Sequence, residues 1–530
     1  MNKKVAFLLA IAGCGGMLFD FGGTIIAPAI PYFESLKLFT QDEISRLTAA
    51  VVLTAAVAGL VAGWFAEKIG RKRTMLLAAA LAALACLPIC LCGGNFWLFY
   101  AGRALQGIAA GLLGVVVPMY LAESLPASDR GKGAGVFQLM DTVGILFCSL
   151  VGMAVVAVVG AADSATVSDA AKTVAWQVVF WSSAVPAVLF FVGVLFLEES
   201  PVWLAKRGRE TKDERHEVAG DKLLQRKYVL PFVLAVVAVV GAADSASVTA
   251  AAKTVAWQAV FWSSAVPAVA FFVGVLFLEE SPVWLRKVQG LKFKVQSADG
   301  EPVNLKPETL NLKPDSLLQR KYVLPFVLAV VVLACNQATG INSMQYYALK
   351  MFQDAGLSNA MANVGFTAFT AVMLGMTALA CAFVDRKGRK FLLKLGTAGI
   401  IVSLCAAGAV FVAINAGVLA KGPVAGWCVV GAVLLYIASF SIGPGVVVWL
   451  ALSELMPDRI RANGMAIAMF INMMVAFLIA DRMLALVEKY GYAPVLFGFA
   501  AATVIYFITA AFFLPETKGK TLKEIEEYFK

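Results

Sequence analysis

The sequence predicts an all-α, polytopic membrane protein with two six-helix bundles and an extra helical pair, about fourteen spans in all. Three observations support this fold class. Of the 530 residues, 60% are hydrophobic and 15% are charged, whereas soluble domains are about half apolar and a quarter charged. Apolar runs long enough to cross a bilayer recur from one end of the chain to the other. One short basic motif occurs in both halves, which indicates two related bundles.

The spans can be placed from the apolar runs. In the first half they lie at about 5–30, 46–66, 75–93, 96–121, 133–160 and 174–197. In the second half they lie at about 322–350, 360–384, 391–416, 424–453, 462–485 and 491–514. The first run continues past Cys14, so residues 1–14 are predicted to belong to an uncleaved helix rather than a signal peptide.

The basic loops between spans all fall on one side of the predicted bundle. They lie at 67–73, 129–132, 386–394 and 458–461, and the terminal tail lies on the same side. Cytoplasmic loops carry an excess of Lys and Arg. The sequence therefore predicts a multi-pass protein of the inner membrane with both termini in the cytoplasm.

A tandem duplication separates the two halves. Residues 154–204 recur almost unchanged at 235–285, and residues 223–237 recur at 317–331. The insert adds apolar stretches at about 228–243 and 255–278, which we expect to form a peripheral hairpin. The alternative is a twelve-span core with a poorly ordered insert. The predicted units are a bundle at 1–204, the insert and linker at 205–321, a second bundle at 322–514 and a cytoplasmic tail at 515–530.

The repeated basic motif joins an acid, several bases and a glycine. The first copy occupies residues 63–73, with Glu67, Gly70 and Arg71, and the second occupies residues 385–390. A charged, glycine-forced turn at the water-side end of a span would clamp two neighbouring helices. Its presence in both halves is typical of a transporter that rocks around a central site.

Several function classes are excluded by composition. The net charge of +10 is spread between spans, so a nucleic-acid-binding surface is not expected. All nine cysteines lie in apolar runs and the only histidine, His216, lies in a charged loop, so we expect no metal centre and no catalytic triad. We therefore predict no cofactor and no enzymatic activity, and a monomer surrounded by membrane lipid.

Five motifs lie, in chain order, at 102–111, 118–131, 336–342, 443–457 and 514–522. Together they resemble the motifs of the sugar porters of the major facilitator superfamily. The resemblance covers the chain apart from the insert and the linker at 286–315. It implies the major facilitator fold and transport of a monosaccharide by alternating access, coupled to proton symport.

The predicted substrate site consists of polar and aromatic side chains in apolar helices. A sugar presents many hydroxyls, so its site needs amides, hydroxyls and an aromatic face. Gln337 and Asn342 flank Gly340, where we expect the seventh helix to break. With the resemblance, the predicted substrate contacts are Gln138, Asn336, Gln337, Asn342, Tyr347, Trp449 and Asn472. The alternative is that the amides only join neighbouring helices.

A second set of charged residues lies at the cytoplasmic ends of the helices. In the family that the chain resembles, such residues pair when the transporter faces outward, so they are predicted to form a gate. The alternative is that they only set membrane topology. The residues are Glu67, Arg71, Glu123, Arg130 and Glu199 in the first half and Asp385, Arg389, Glu454, Arg461 and Glu516 in the second.

Proton coupling has three candidate residues. Proton-driven porters of the family carry an Asp in helix one that pairs with an Arg of span four, here Arg103. The alignment places Gly22 at the expected Asp position, and Asp20 lies two residues earlier. Asp141 is a second acid within a span, and carboxylates in spans are functional candidates. A facilitator that needs no proton remains an alternative.

Three other functions remain open from the sequence. An exporter of drugs or metabolites could share the fold, although the 336–342 and 514–522 motifs argue against it. A sugar sensor that does not transport would need a long signalling tail, and only a short one follows the last span. The duplication could also have produced a non-functional protein.

Overall fold

A computed structural model describes residues 3–125, 130–204, 320–456 and 461–516. The helices of the first half are α1 (Lys3–Thr24), α2 (Ile30–Ser35), α3 (Gln41–Ile69), α4 (Arg71–Leu84), α5 (Cys86–Cys90), α6 (Phe96–Ser124), α7 (Arg130–Val158), α8 (Asp169–Trp181) and α9 (Ala184–Leu195). Those of the second half are α10 (Arg320–Ala338), α11 (Ile341–Asp354), α12 (Asn359–Lys387), α13 (Arg389–Asn415), α14 (Pro423–Ile442), α15 (Pro444–Leu455), α16 (Arg461–Tyr490) and α17 (Tyr492–Ile508), followed by a π-helical turn (Thr509–Phe513).

The described residues contain twelve helical segments long and apolar enough to cross a membrane. The predicted all-α membrane fold is therefore confirmed, and the boundaries of most spans agree within a few residues. The first span is shorter than predicted: α1 ends at Thr24, and after a turn the short helix α2 begins at Ile30, with Pro31 in its first turn. The predicted insert hairpin and the linker lie outside the described residues, and so does all but the start of the tail.

The two basic motifs form equivalent turns. Gly70 joins α3 to α4 with φ +102°, and Gly388 joins α12 to α13 with φ +89°. A Cβ at Gly70 would lie 2.3 Å from a carboxylate oxygen of Glu199, and one at Gly388 would lie 2.9 Å from Glu516. Glycine is therefore needed at both turns for the backbone angle and for the close approach of an acid.

Helices pack first within each half and then between the halves. In the first half α3 packs on α6 and α1 on α7, and in the second α13 packs on α14 and α17. Between the halves, α3 lies against α16 and α7 lies against α12. Glycines allow the closest approaches: a Cβ at Gly16 of α1 would lie 2.3 Å from the carbonyl oxygen of Phe137 in α7.

The buried cores differ at the two ends of the molecule. We call the end with the Gly70 and Gly388 turns the basic face, and the end with Glu34 and Lys350 the opposite face. Toward the opposite face, two apolar clusters contain residues of both halves, joining for example Phe21 to Tyr346. Toward the basic face, one described cluster belongs wholly to the first half and another wholly to the second. The described parts of the two halves therefore pack against each other at the opposite face.

Candidate functional site

The seventh span breaks at the predicted glycine. Gly340 has φ +84° and separates α10 from α11. A Cβ at position 340 would lie 2.6 Å from Cδ2 of Phe499, so the Phe499 ring leaves no room for a side chain there. The break places Asn336 and Gln337 at the end of one helix and Asn342 at the start of the next.

Buried amide atoms without a hydrogen-bond partner among the described residues lie just before this break and on the adjacent helix α16. Asn336 is 3% exposed and Gln337 is 6% exposed. The side-chain oxygen of each is buried, with no hydrogen-bond partner among the described residues. Asn472, in α16, is fully buried, and both of its amide atoms also lack a partner there. Since α10 packs on α16 and unpaired amides are costly in an apolar interior, these groups are suited to a ligand rich in hydroxyls.

Two further glutamines were not included in the predicted site. Gln345 is 3% exposed and its Oε1 has no described partner, while its Nε2 lies 3.7 Å from Met373 Sδ. Gln106 is 4% exposed and its Nε2 is likewise unpaired among the described atoms. The sequence carried a signal for Gln106, an amide in a strongly apolar helix, whereas Gln345 lies among other polar residues in α11 and does not stand out.

The two aromatic residues predicted to contact the substrate are Tyr347 and Trp449. Tyr347 is buried, and its hydroxyl donates to the carbonyl oxygen of Ala480 at 3.2 Å. It therefore joins α11 to α16, in the core cluster shared by the two halves. Trp449 belongs to α15, but its side chain lies outside the described part of the structure.

Asp141, Gln138 and Asp20 lie where α1 packs on α7. Gln138 Nε2 donates to Asp141 Oδ2 at 3.3 Å, and the other oxygen of Asp141 is buried without a partner in the described structure. Asp20 Oδ1 and the hydroxyl of Tyr346 both lie within 4 Å of the position that a Cβ on Gly23 would take. A carboxylate of the first half therefore approaches a hydroxyl of the second.

Arg103 bonds backbone carbonyls rather than an acid. It is fully buried; Nη1 donates to the carbonyl of Gly22, Nη2 to that of Gly23 at 3.1 Å, and Nε to that of Leu47 at 3.1 Å. Nη1 also donates to Gln106 Oε1 at 2.7 Å. The last carbonyls of a helix lack intrahelical partners and attract cations. Arg103 thus stabilises the end of α1, and the carbonyl of Gly22 occupies the place predicted for an Asp.

At the basic face, the predicted charged residues of the first half form a compact network. Arg71, 3% exposed, donates to both oxygens of Glu123 at 2.8 and 2.9 Å and to Glu67 at 2.9 Å. Glu199 accepts from the backbone amides of Arg71 and Lys72 at 2.9 and 3.0 Å. A carboxylate at a helix N-terminus satisfies unpaired N–H groups and complements the helix dipole. The side chain of Arg130 is outside the described part.

The second half repeats this arrangement where it is described. Glu516 accepts from the backbone amides of Arg389 and Lys390 at 3.1 and 3.2 Å. The side chains of Asp385, Glu454 and Arg461 are outside the described part. Glu199 and Glu516 therefore occupy equivalent positions, each holding the last span of its half against the basic turn.

The opposite face carries an ionic contact between the halves, which we call the latch. Lys350 of α11 donates to Glu34 of α2 and lies 3.4 Å from Asp354. Gln41 also donates to Glu34, and the hydroxyl of Tyr492 donates to Asp354 at 2.8 Å. A second contact between the halves lies nearby, because the backbone N–H of Asn359 donates to Asp163 at 2.8 Å.

The fold and these contacts together define a membrane transporter with two pseudo-symmetric bundles. The family model for sugar (and other) transporters matches residues 11–221 and again 216–529. The chain therefore belongs to the sugar transporter family of the major facilitator superfamily. The two matches overlap at residues 216–221, between the two copies of the duplicated segment at 154–204 and 235–285.

Individual relatives agree with this assignment. The chain is 28% identical over 536 residues to the glucose transport protein of Synechocystis, covering 99% of this chain and 97% of the relative. It is 25% identical over 533 residues to the galactose-proton symporter of Escherichia coli K12, covering 99% and 94%. A crystal structure of a D-xylose-proton symporter superposes with a TM-score of 0.67 at 21% identity, covering 98% of this chain and 99% of that one. The described part of the chain contains no group of three or more side chains that could hold a metal ion.

Proposed function

We propose that this protein carries a monosaccharide across the inner membrane by alternating access and couples its movement to a proton. The observation that carries the proposal is the set of buried amide atoms, before the break of the seventh span and on α16, that have no partner among the described residues. Asn336, Gln337 and Asn472 offer donors and acceptors that a sugar hydroxyl can satisfy. Similarity to glucose and galactose transporters supports a monosaccharide.

The predicted residues divide into two roles in this proposal. Gln337, Asn336, Asn342 and Asn472 bind the sugar, with Gln138 and Trp449 completing the site from neighbouring helices. Tyr347 acts by holding α11 against α16, because its hydroxyl is already bonded to Ala480.

We infer that the basic face lies in the cytoplasm, following the positive-inside rule. Both termini then lie in the cytoplasm, and the latch closes the molecule on the outer side. The predicted gate residues would stabilise the alternative, outward-facing state. Arg71 already lies next to Glu199, and Arg389 next to Glu516. We expect the protein to act as a monomer.

Proton coupling is tested by replacing the buried acids. We expect an inward proton gradient to drive accumulation of the transported sugar in liposomes. Asp141→Asn is expected to abolish accumulation but to retain counterflow, because an amide can bond Gln138 but cannot release a proton. Uptake of labelled hexoses and pentoses, measured with and without a pH gradient, checks this.

The exposed acid Asp169 provides a control, and Asp169→Asn should accumulate sugar like the parent. If Asp141→Asn and Asp20→Asn both still accumulate sugar, neither acid carries the proton. If the parent shows counterflow but a proton gradient does not drive accumulation, the protein is a uniporter. The bonding of Arg103 to backbone carbonyls instead of an acid would agree with that result.

The duplicated insert is expected to be dispensable. Deleting residues 223–316 joins Lys222 to Leu317 and keeps the same local sequence, because residues 317–331 repeat 223–237. The two halves should therefore pack as before, and counterflow should remain close to that of the parent. Failure of the shortened protein to accumulate in membranes would show that the insert is an integral part of the fold.

A further inference from the structure

A groove lies on the periphery of the second half, between α16 and α17. Leu478, Leu486 and Tyr490 line it from α16, and Gly498 and Phe499 line it from α17. It encloses about 400 Å³, and its lining is almost wholly apolar. Both helices are membrane spans, and the groove lies along their ends at the opposite face. We call it the outer groove.

One cation lies in this apolar lining. The Arg482 side chain is 66% exposed, and its Nε lies 3.2 Å from Asp481 Oδ2. Asp481 itself is 5% exposed and turned toward α3. Among the described residues, the two terminal nitrogens of the Arg482 guanidinium form no hydrogen bond or ion pair. These nitrogens therefore remain available to an anion that enters the groove.

The depth of Arg482 lets its side chain reach the polar boundary of a bilayer. It lies eight residues before the end of α16, about 12 Å along the helix axis. Helix α16 has 30 residues, about 45 Å, so both ends extend beyond a hydrocarbon core of about 30 Å. Arg482 is then about 5 Å inside the hydrocarbon edge, within the reach of a long side chain that extends to the headgroups.

We propose that the outer groove binds a phospholipid of the outer leaflet, with its phosphate on Arg482 and one acyl chain between α16 and α17. The Arg guanidinium presents parallel N–H donors that match phosphate oxygens. The apolar walls suit an acyl chain, and they offer a sugar too few polar partners. At the outer end, Lys489 Nζ lies 5.0 Å from the centre of the Tyr490 ring, which adds positive charge near the headgroup. The proposal does not depend on which sugar is transported.

The site is tested by native mass spectrometry of the full chain with added lipid. Dioleoyl phosphatidylglycerol is the probe, and dioleoylglycerol, which lacks the phosphate, is the matched lipid. Arg482→Gln is expected to weaken phosphatidylglycerol binding about tenfold, the effect of losing a charge-assisted hydrogen bond, and to leave dioleoylglycerol binding unchanged. Gly498→Leu is expected to weaken binding of both lipids, because its side chain fills the groove.

Gly498→Leu is expected to fold, and a control variant is available for Arg482→Gln. A Cβ at Gly498 meets no other atom within 4 Å, so Gly498→Leu should fold. Lys421, exposed in the loop between α13 and α14, provides the control, and Lys421→Gln should bind both lipids like the parent.

Three results would overturn the proposal. The first is phosphatidylglycerol binding by Arg482→Gln and Gly498→Leu at the parent's level. The second is displacement of the lipid by millimolar inorganic phosphate, which would indicate a simple anion site. The third is a dimer that dissociates in Gly498→Leu, which would make the groove a contact between subunits.

Discussion

Replacing Lys350 by methionine is expected to shift the protein toward the state in which the opposite face is open. Lys350 is 11% exposed and Glu34 26% exposed, so the latch is partly desolvated, and removing one partner leaves a poorly solvated charge behind. Loss of the cation removes the positive charge next to Glu34 and Asp354, and the hydrogen-bond donors that they keep, Gln41 and Tyr492, are neutral. A change of about 1.4 kcal/mol in favour of opening would raise the ratio of open to closed molecules about tenfold.

Distances between spin labels can measure this shift. Labels at Lys37 and Lys421, one in each half and both exposed, should move apart in Lys350→Met, in a background without the exposed cysteines. Lys172 is the control: it bonds Ser35 within the first half, and Lys172→Met should keep the parent's distances. A distance distribution identical to the parent's in Lys350→Met and Glu34→Gln would show that the latch does not bias the equilibrium.

Replacing Arg103 by lysine is expected to destabilise the protein and abolish transport. A single ammonium cannot bond the carbonyls of Gly22, Gly23 and Leu47 together with Gln106, because its donors radiate from one atom. The ammonium has three donors for these four acceptors, so at least one buried acceptor would lose its partner, at a cost of about 1–3 kcal/mol. The measurement is the thermal unfolding midpoint of the purified protein, together with counterflow.

Arg73 offers a matched comparison for this variant. It is exposed at the basic face, so Arg73→Lys should unfold at the parent's temperature. If Arg103→Lys unfolds at the parent's temperature and loses only proton-driven accumulation, Arg103 would belong to the coupling machinery instead of supporting the end of α1.

The sequence predicted the spans, the break at Gly340 and the two basic turns. These features depend on local composition: apolar runs define spans, and glycine permits the φ values at Gly70, Gly340 and Gly388. The doubled motif also predicted related halves, and the equivalent capping by Glu199 and Glu516 agrees with it.

The long-range contacts could not be predicted in the same way. Glu34 and Lys350 are 316 residues apart, and nothing near either residue indicates its partner. Arg103 was identified, but its bonds to carbonyls depend on where α1 ends, and the sequence placed that end several residues too late. The outer groove likewise depends on how α16 and α17 diverge.

Counterflow of labelled sugar into liposomes containing Gln337→Ala tests the central claim most directly. The side-chain oxygen of Gln337 has no partner among the described residues, so its removal should cost little stability but should remove a bond to the sugar. The account predicts a parent-like unfolding temperature and loss of specific counterflow, while Gln353→Ala, on the neighbouring helix α11, transports normally. Undiminished counterflow in Gln337→Ala would contradict it.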